Sequence, residues 1–318
     1  MFIAIVLLVV GLSILIVGAE LLVKGAASLA RRLRVRPLVI GLTVVAFGTS
    51  APELIVNIFS AVKGAPDIAI GNIVGSNISN ILLILGIAAI IIPLRVQNST
   101  VKREIPFALL AAVLVFVLGN DILFDQAQAG ILSRTDGLAL ISMFAIFMAY
   151  VFGMKRDIAD NKGDSTKVYS TGKSVVYVVA GVGLLLLGGK LLVDEAVVLA
   201  RIVGLSESLI GLTIVAVGTS LPELATSVVA AIHRQNDIAI GNIIGSNIFN
   251  VFWILGLTSI ILPLPFNAAV NIDVLMMIAS TVMLLTFLFI GRRELKRWQG
   301  VAFIVCYIAY LIYLAQRG

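Results

Sequence analysis

The chain has 318 residues, 60% of them hydrophobic and only 13% charged, with a mean hydropathy of +1.12, a formal net charge of +6 and a pI near 9.6. A soluble domain of this length is roughly half apolar and about a quarter charged, so the composition excludes a water-soluble globule and predicts a polytopic membrane protein. The basic residues lie between apolar runs, where membrane orientation accounts for them without a nucleic-acid partner.

The N-terminal run has no basic segment ahead of it and continues to residue 30, which is too long for a signal-peptide core and reads as a first membrane span. Ten runs are long enough to cross about 30 Å of hydrocarbon: 2–30, 37–62, 69–93, 104–120, 134–154, 173–200, 207–232, 239–264, 269–290 and 298–315. Residues 155–172, rich in Lys, Asp, Ser and Thr, form a linker too short to fold alone. They divide the chain into a first five-helix repeat, 1–154, and a second, 173–318. The single Cys306 lies within an apolar run and rules out disulfides and thiolate metal sites.

Five crossings per half is an odd number, so the second half enters the membrane from the opposite side and the halves are inverted. Seventeen of the 23 Lys and Arg fall in the linker and the connections on its side. The other side holds Lys63, Arg134, Arg201 and Arg317, and Lys24 and Lys190 lie within spans. The positive-inside rule makes the linker cytoplasmic and both termini external.

The halves repeat each other at an offset of 170. Residues 41–86 and 211–256 match at 27 of 46 positions without a gap. GAELLVKGA (18–26) also aligns with GGKLLVDEA (188–196). There, Glu20 and Lys24 are answered by Lys190 and Asp194, four-residue pairs that neutralise themselves on a helix face.

Within the strong repeat, Ala46, Thr49, Ser50 and Glu53 share one helical stripe, and Pro52 removes a backbone donor beside Gly48. The freed carbonyl of Gly48, with its neighbours disturbed, needs a partner in the bilayer, and a cation supplies one. Ala216, Thr219, Ser220 and Glu223 repeat the arrangement beside Pro222. Ser76, Asn77 and Asn80, with Ser246, Asn247 and Asn250, occupy one side of the third and eighth spans. Gly71/Gly75 and Gly241/Gly245 form GxxxG pairs for close helix approach, and Asp67 and Asp237 read as helix N-caps.

Every ligand in this inventory is a hard oxygen. With no His in a span and no paired Cys, zinc, copper and iron are poorly served, whereas Ca²⁺ takes six to eight such oxygens and Na⁺ accepts the same set. Two carboxylates balance one Ca²⁺ or two Na⁺, the minimum for exchange. No nucleophile–base pair is present, which argues against an enzyme, and His233 beside Arg234 reads as solvated.

The motifs GTSAPEL with GNIVGSNISN, and GTSLPEL with GNIIGSNIFN, resemble the two alpha repeats of the cation/Ca²⁺ antiporter superfamily, and most of all its compact prokaryotic Na⁺/Ca²⁺ exchangers. The resemblance covers the whole chain. It implies ten transmembrane helices as two inverted five-helix repeats, with an ion site built by the second, third, seventh and eighth. By that likeness Glu53 and Glu223 are the central carboxylates. Thr49, Ser50, Thr219, Ser220, Ser76 and Ser246 are hydroxyl and carbonyl ligands, Ala46 and Ala216 supply backbone oxygen to flanking Na⁺ sites, and Asn80 and Asn250 fill the remaining central positions. Some members carry Asp where Asn250 stands. The resemblance also implies alternating access by sliding of the first and sixth helices. The expected activity is Na⁺/Ca²⁺ antiport in a cell membrane, with no cofactor and no protein partner. A H⁺/Ca²⁺ or K⁺-dependent exchanger of the same fold is the alternative.

Overall fold

A computed structural model describes residues 2–124, 126–154, 168–202 and 216–317. The part of the linker at 155–167 and residues 203–215, which include the start of the expected seventh span, lie outside the described residues.

The chain is almost entirely helical. The helices are α1 (Phe2–Arg32), α2 (Pro37–Thr49), α3 (Ala51–Val62), α4 (Pro66–Ile91), α5 (Ile105–Gly119, extended backwards by a wide turn, Thr100–Glu104), α6 (Arg134–Phe152), α7 (Thr171–Ile202), α8 (Leu221–Ile232), α9 (Asn236–Ile261), α10 (Asn271–Ile290) and α11 (Arg297–Arg317). Among the described residues, seven helices are long and apolar enough to cross a membrane, or eight when α2 and α3, bent by 46°, count as one broken span. The third and eighth runs start three residues earlier than the hydropathy suggested, because Pro66 and Asn236 open their helices.

Two bodies make up the packing. In the first, α1 and α7 run antiparallel along a glycine seam: a Cβ on Gly11, Gly18 or Gly25 would come within 2.9, 2.7 and 2.8 Å of the α7 backbone, and one on Gly181 or Gly188 within 2.6 Å of the α1 backbone. Glycine at seven-residue spacing therefore lets two helix backbones touch where any side chain would hold them apart. In the second body, α4 and α9 form the centre, with 78% and 94% of their most apolar windows buried inside protein. Their apolar residues join those of α5, α6, α10 and α11 in one core. The outer helices α6 and α11, only 22% buried, present their apolar surface outwards, as expected of lipid-facing helices.

Contacts among connections sort them onto two ends. At one end, Arg32 Nε donates to the Tyr169 carbonyl (2.7 Å), Arg36 to Ser99 Oγ (3.3 Å) and Gln97 Nε2 to Asp237 Oδ2 (2.5 Å). There β1 (Leu94–Arg95) also pairs antiparallel with β4 (Glu294–Leu295). At the other end β2 (Gly130–Leu132) pairs antiparallel with β3 (Leu264–Phe266), and Arg134 donates to the Ile260 carbonyl. Both ribbons join a connection of the first half to one of the second.

The pairs Glu20–Lys24 (2.7 Å) and Lys190–Asp194 (2.5 Å) form as the spacing predicts. Two expectations need correction. His233 is not simply solvated: its Nε2 lies 2.8 Å from Glu20 Oε1, which ties the end of α8 to α1. Asp67 and Asp237 are not N-caps; Ala65 and Gln235 hold those positions without side-chain caps, and the aspartates sit in the first turn, where the helix dipole favours a negative charge.

Candidate functional site

The site begins where two helices break. After Thr49 the chain leaves helical geometry at Ser50 (φ −81°, ψ 9°), and after Gly218 it does the same at Ser220 (φ −87°, ψ 4°). Pro52 and Pro222 therefore lie in the first turn of new helices, where the missing donor costs nothing, and not inside a continuous helix as the sequence suggested. The Ala46 carbonyl also keeps a backbone partner, accepting from Ser50 N–H at 2.9 Å. The corresponding Ser220 N–H reaches only three residues back, to the Val217 carbonyl at 3.1 Å. Each break puts its glutamate, Glu53 or Glu223, third in a helix, beside the positive N-terminal end.

Both glutamates are buried, each 1% exposed. Glu223 Oε1 accepts from Ser50 Oγ (3.1 Å) and Ser246 Oγ (3.3 Å). Glu53 Oε1 accepts from Ser76 Oγ (3.4 Å), which in turn accepts from Ser220 Oγ (3.5 Å). Ser50 and Ser220 occupy N-cap positions but turn their hydroxyls away from their own helices towards the opposite half. Ser79, which has Phe249 as its repeat equivalent, adds a 3.3 Å bond to Ser220.

Beside the carboxylates, four amides from α4 and α9 lock together. Asn77 Nδ2 donates to the Asn247 carbonyl (3.2 Å), and Asn247 Nδ2 to the Asn77 carbonyl (3.3 Å). Asn80 Nδ2 donates to Asn247 Oδ1 (2.8 Å), and Asn250 Nδ2 to Asn77 Oδ1 (2.9 Å). The helices widen to π geometry at Asn80–Leu85 and Phe249–Leu255, a local device that re-aims side chains and is frequent at functional sites. With their nitrogens committed, Asn80 and Asn250 leave their oxygens free.

Around the bridge and the carboxylates, among the described residues, four buried carboxylate and amide oxygens have no close hydrogen-bond partner: Glu53 Oε2, Glu223 Oε2, Asn80 Oδ1 and Asn250 Oδ1, two from each half. All four are acceptors. A buried unpaired acceptor costs about 1–3 kcal/mol, more when charged, so such a set calls for a donor or a cation.

The remaining expected residues divide. Thr49, 1% exposed, donates to Asn242 Oδ1 (3.0 Å) and more weakly to the Ala46 carbonyl (3.4 Å). Thr219 is only half-buried, and its hydroxyl faces Glu53 without a close hydrogen bond. The Ala216 side chain lies outside the described residues. Asn77 and Asn247 commit each Nδ2, and one acceptor position of each Oδ1, to the cross-bridge. Sequence reasoning passed over Asn57, Asn72, Ser227 and Asn242. The signal for Asn72 and Asn242 was present in their repetition at offset 170, and Asn57 stands one turn beyond Glu53. The close approach expected of Gly241 and Gly245 is seen: a Cβ there would lie 3.0 Å from the Leu38 carbonyl oxygen and 2.8 Å from Ala46 Cβ.

The profile of the family described as "Sodium/calcium exchanger protein" matches residues 3–153 and 173–316. The "Putative antiporter CaxA" of Alkalimonas amylolytica is 40% identical, with 98% of each chain covered. The "Sodium/calcium exchanger MaX1" of Methanosarcina acetivorans is 34% identical, with 91% of each covered. Among solved structures, the sodium-calcium exchanger NCX_Mj superimposes with a TM-score of 0.83 at 33% identity, over 98% of this chain and 99% of that one.

Proposed function

The chain belongs to the sodium/calcium exchanger family, and from that premise we propose that it exchanges Na⁺ for Ca²⁺ across a cell membrane by alternating access, with the ions held between the two halves. The observation that carries this reading is the quartet of unpartnered buried oxygens on Glu53, Glu223, Asn80 and Asn250. An anionic, all-oxygen set suits hard cations. Its two carboxylates are balanced by one Ca²⁺ or by two Na⁺, so loading by one ion displaces the other.

The ligand roles follow from what each side chain has left to give. Glu53 and Glu223 supply charge, and Asn80 and Asn250 supply neutral oxygens. Ser50, Ser76, Ser220 and Ser246 hold the carboxylates and offer hydroxyl oxygen, as do Thr49 and Thr219 at the two breaks. Backbone oxygen of Ala46 and Ala216 belongs to flanking Na⁺ positions. Asn77 and Asn247 act beneath the ligands, fixing which way Asn80 and Asn250 face.

The architecture we assign is ten transmembrane helices as inverted repeats, 1–154 and 173–318, joined by a cytoplasmic linker, with both termini external. The antiparallel contact between the equivalent helices α1 and α7 supports inversion, because repeats related by a two-fold axis in the membrane plane meet head to tail. The sorting of connections onto two ends supports the crossings. The excess of basic residues on the linker side supports the orientation.

Counterflow of labelled Ca²⁺ in liposomes, with Na⁺, K⁺ and pH varied separately, tests the function. Ca²⁺ efflux should follow an inward Na⁺ gradient. Efflux driven by a pH gradient and indifferent to Na⁺ would overturn the assignment.

A further inference from the structure

Two polar clusters flank the carboxylates, one towards each end of the molecule, and the repeat makes them equivalent. The first is Thr49, Asn242 and Ser227; the second is Thr219, Asn72 and Asn57. Ser227 and Asn242 lie between Glu223 and the connection at 233–235, which shares an end with residues 93–99 through the Gln97–Asp237 bond. Asn57 and Asn72 lie between Glu53 and the connection at 63–65, at the opposite end, since α4 runs from there back to β1.

The first cluster is closed on itself. Thr49 Oγ1 donates to Asn242 Oδ1 (3.0 Å), and Asn242 Nδ2 donates to Ser227 Oγ (3.0 Å) and the Glu223 carbonyl (3.4 Å). In the second cluster none of the equivalent bonds exists, although every equivalent partner is a described residue. Asn72 Nδ2 and both polar atoms of Asn57 are without a partner, Thr219 turns its hydroxyl towards Glu53 and not to Asn72, and Asn57 is 0% exposed.

Asn57 is the informative member. A bare cation would satisfy its oxygen and repel its NH₂, and a carboxylate would do the reverse. Water both accepts and donates, and so answers both atoms at once. One turn along the same helix stands Glu53, whose Oε2 is also unpaired. Resting on the exchange reading above, we infer that Asn57, Asn72 and Thr219 form a station for a hydrated cation on the 63–65 side. They hold its water while the ion passes to Glu53, and the mirror cluster keeps the other side shut.

The test uses the full chain in liposomes of known orientation. Asn57→Leu should raise the Ca²⁺ KM on the 63–65 face about fivefold, the size of one modest hydrogen bond, and leave the KM on the other face unchanged. Asn57→Ser, whose hydroxyl also donates and accepts, should stay near the parent on both faces. An Asn57→Leu variant with unaltered KM on both faces overturns the inference, and so does an equal rise on both faces or an equal loss with Asn57→Ser. A second readout needs no transport. In a Cys306→Ala background, Asn72→Cys should react with a membrane-impermeant thiol reagent faster than Asn242→Cys, and equal rates overturn the inference. A parent protein that moves no Ca²⁺ would instead sink the exchange reading, while the labelling contrast still judges the station.

Discussion

The amide bridge and the threonine clusters lie close together, yet only the first obeys the internal symmetry of the chain. Across the bridge, equivalent bonds measure 2.8 and 2.9 Å, and 3.2 and 3.3 Å. In the clusters one side makes three bonds and the other makes none. Symmetry is retained where the two halves hold each other at the axis and lost where each half faces its own end. On the inverted architecture proposed above, this is what alternating access requires: a fixed site between two gates that are never in the same state.

The largest expected effect strikes the part common to both gates. Glu53→Gln or Glu223→Gln should abolish Na⁺-driven ⁴⁵Ca²⁺ flux while the protein remains monodisperse, because either change removes half of the charge that the ions neutralise. Near-parental flux in either variant would detach the carboxylates from transport. Next comes the bridge. Asn247→Ala removes the acceptor that fixes Asn80 and should lower Ca²⁺ affinity about tenfold, or ~1.4 kcal/mol, for one buried hydrogen bond lost with its orientation. Asn77→Ala should match it if the bridge is symmetric in energy as well as in geometry, and a clear difference in calorimetric affinity between the two would break the comparison.

A smaller, purely mechanical effect is expected at the helix seam. Gly181→Val would drive a Cβ to 2.6 Å from the Leu22 backbone nitrogen, and overpacking of this kind costs about 1–3 kcal/mol. A melting temperature lowered by several degrees, with Ca²⁺ affinity retained, would check it. The smallest effect belongs to the contact between α1 and α8. His233→Ala removes the bond to Glu20, but those side chains are 40% and 32% exposed, so the stability change should stay below about 1 kcal/mol. A larger loss would mean that this contact, and not only the glycine seam, holds α1 in place.

Much of this is legible in the sequence alone. The long apolar helices follow from uninterrupted apolar length, and the interest of the two buried glutamates from the cost of burying charge in a bilayer. The internal repeat marked which of the polar residues belong together. What stayed illegible was direction. Spacing put Asn77 and Asn80 on one face alike, but whether an amide offers its oxygen or spends its nitrogen depends on partners 167 to 173 residues away. Pro52 could be read as a helix breaker but not as the first turn of a new helix, because that depends on where Ser50 turns. Asn57 shares a helix stripe with Glu53, but spacing could not show that its amide is unpaired, since that is defined by what fails to reach it.

The sequence by itself determined the apolar helices of a membrane protein, the duplication and the all-oxygen character of its repeated polar residues, all consequences of composition and period that act over a few turns. Only the tertiary structure decided which oxygens are free and which of two equivalent clusters is closed. Hydrogen bonding between distant segments is set by their relative placement, and two copies of one motif can be placed differently while their residues remain the same.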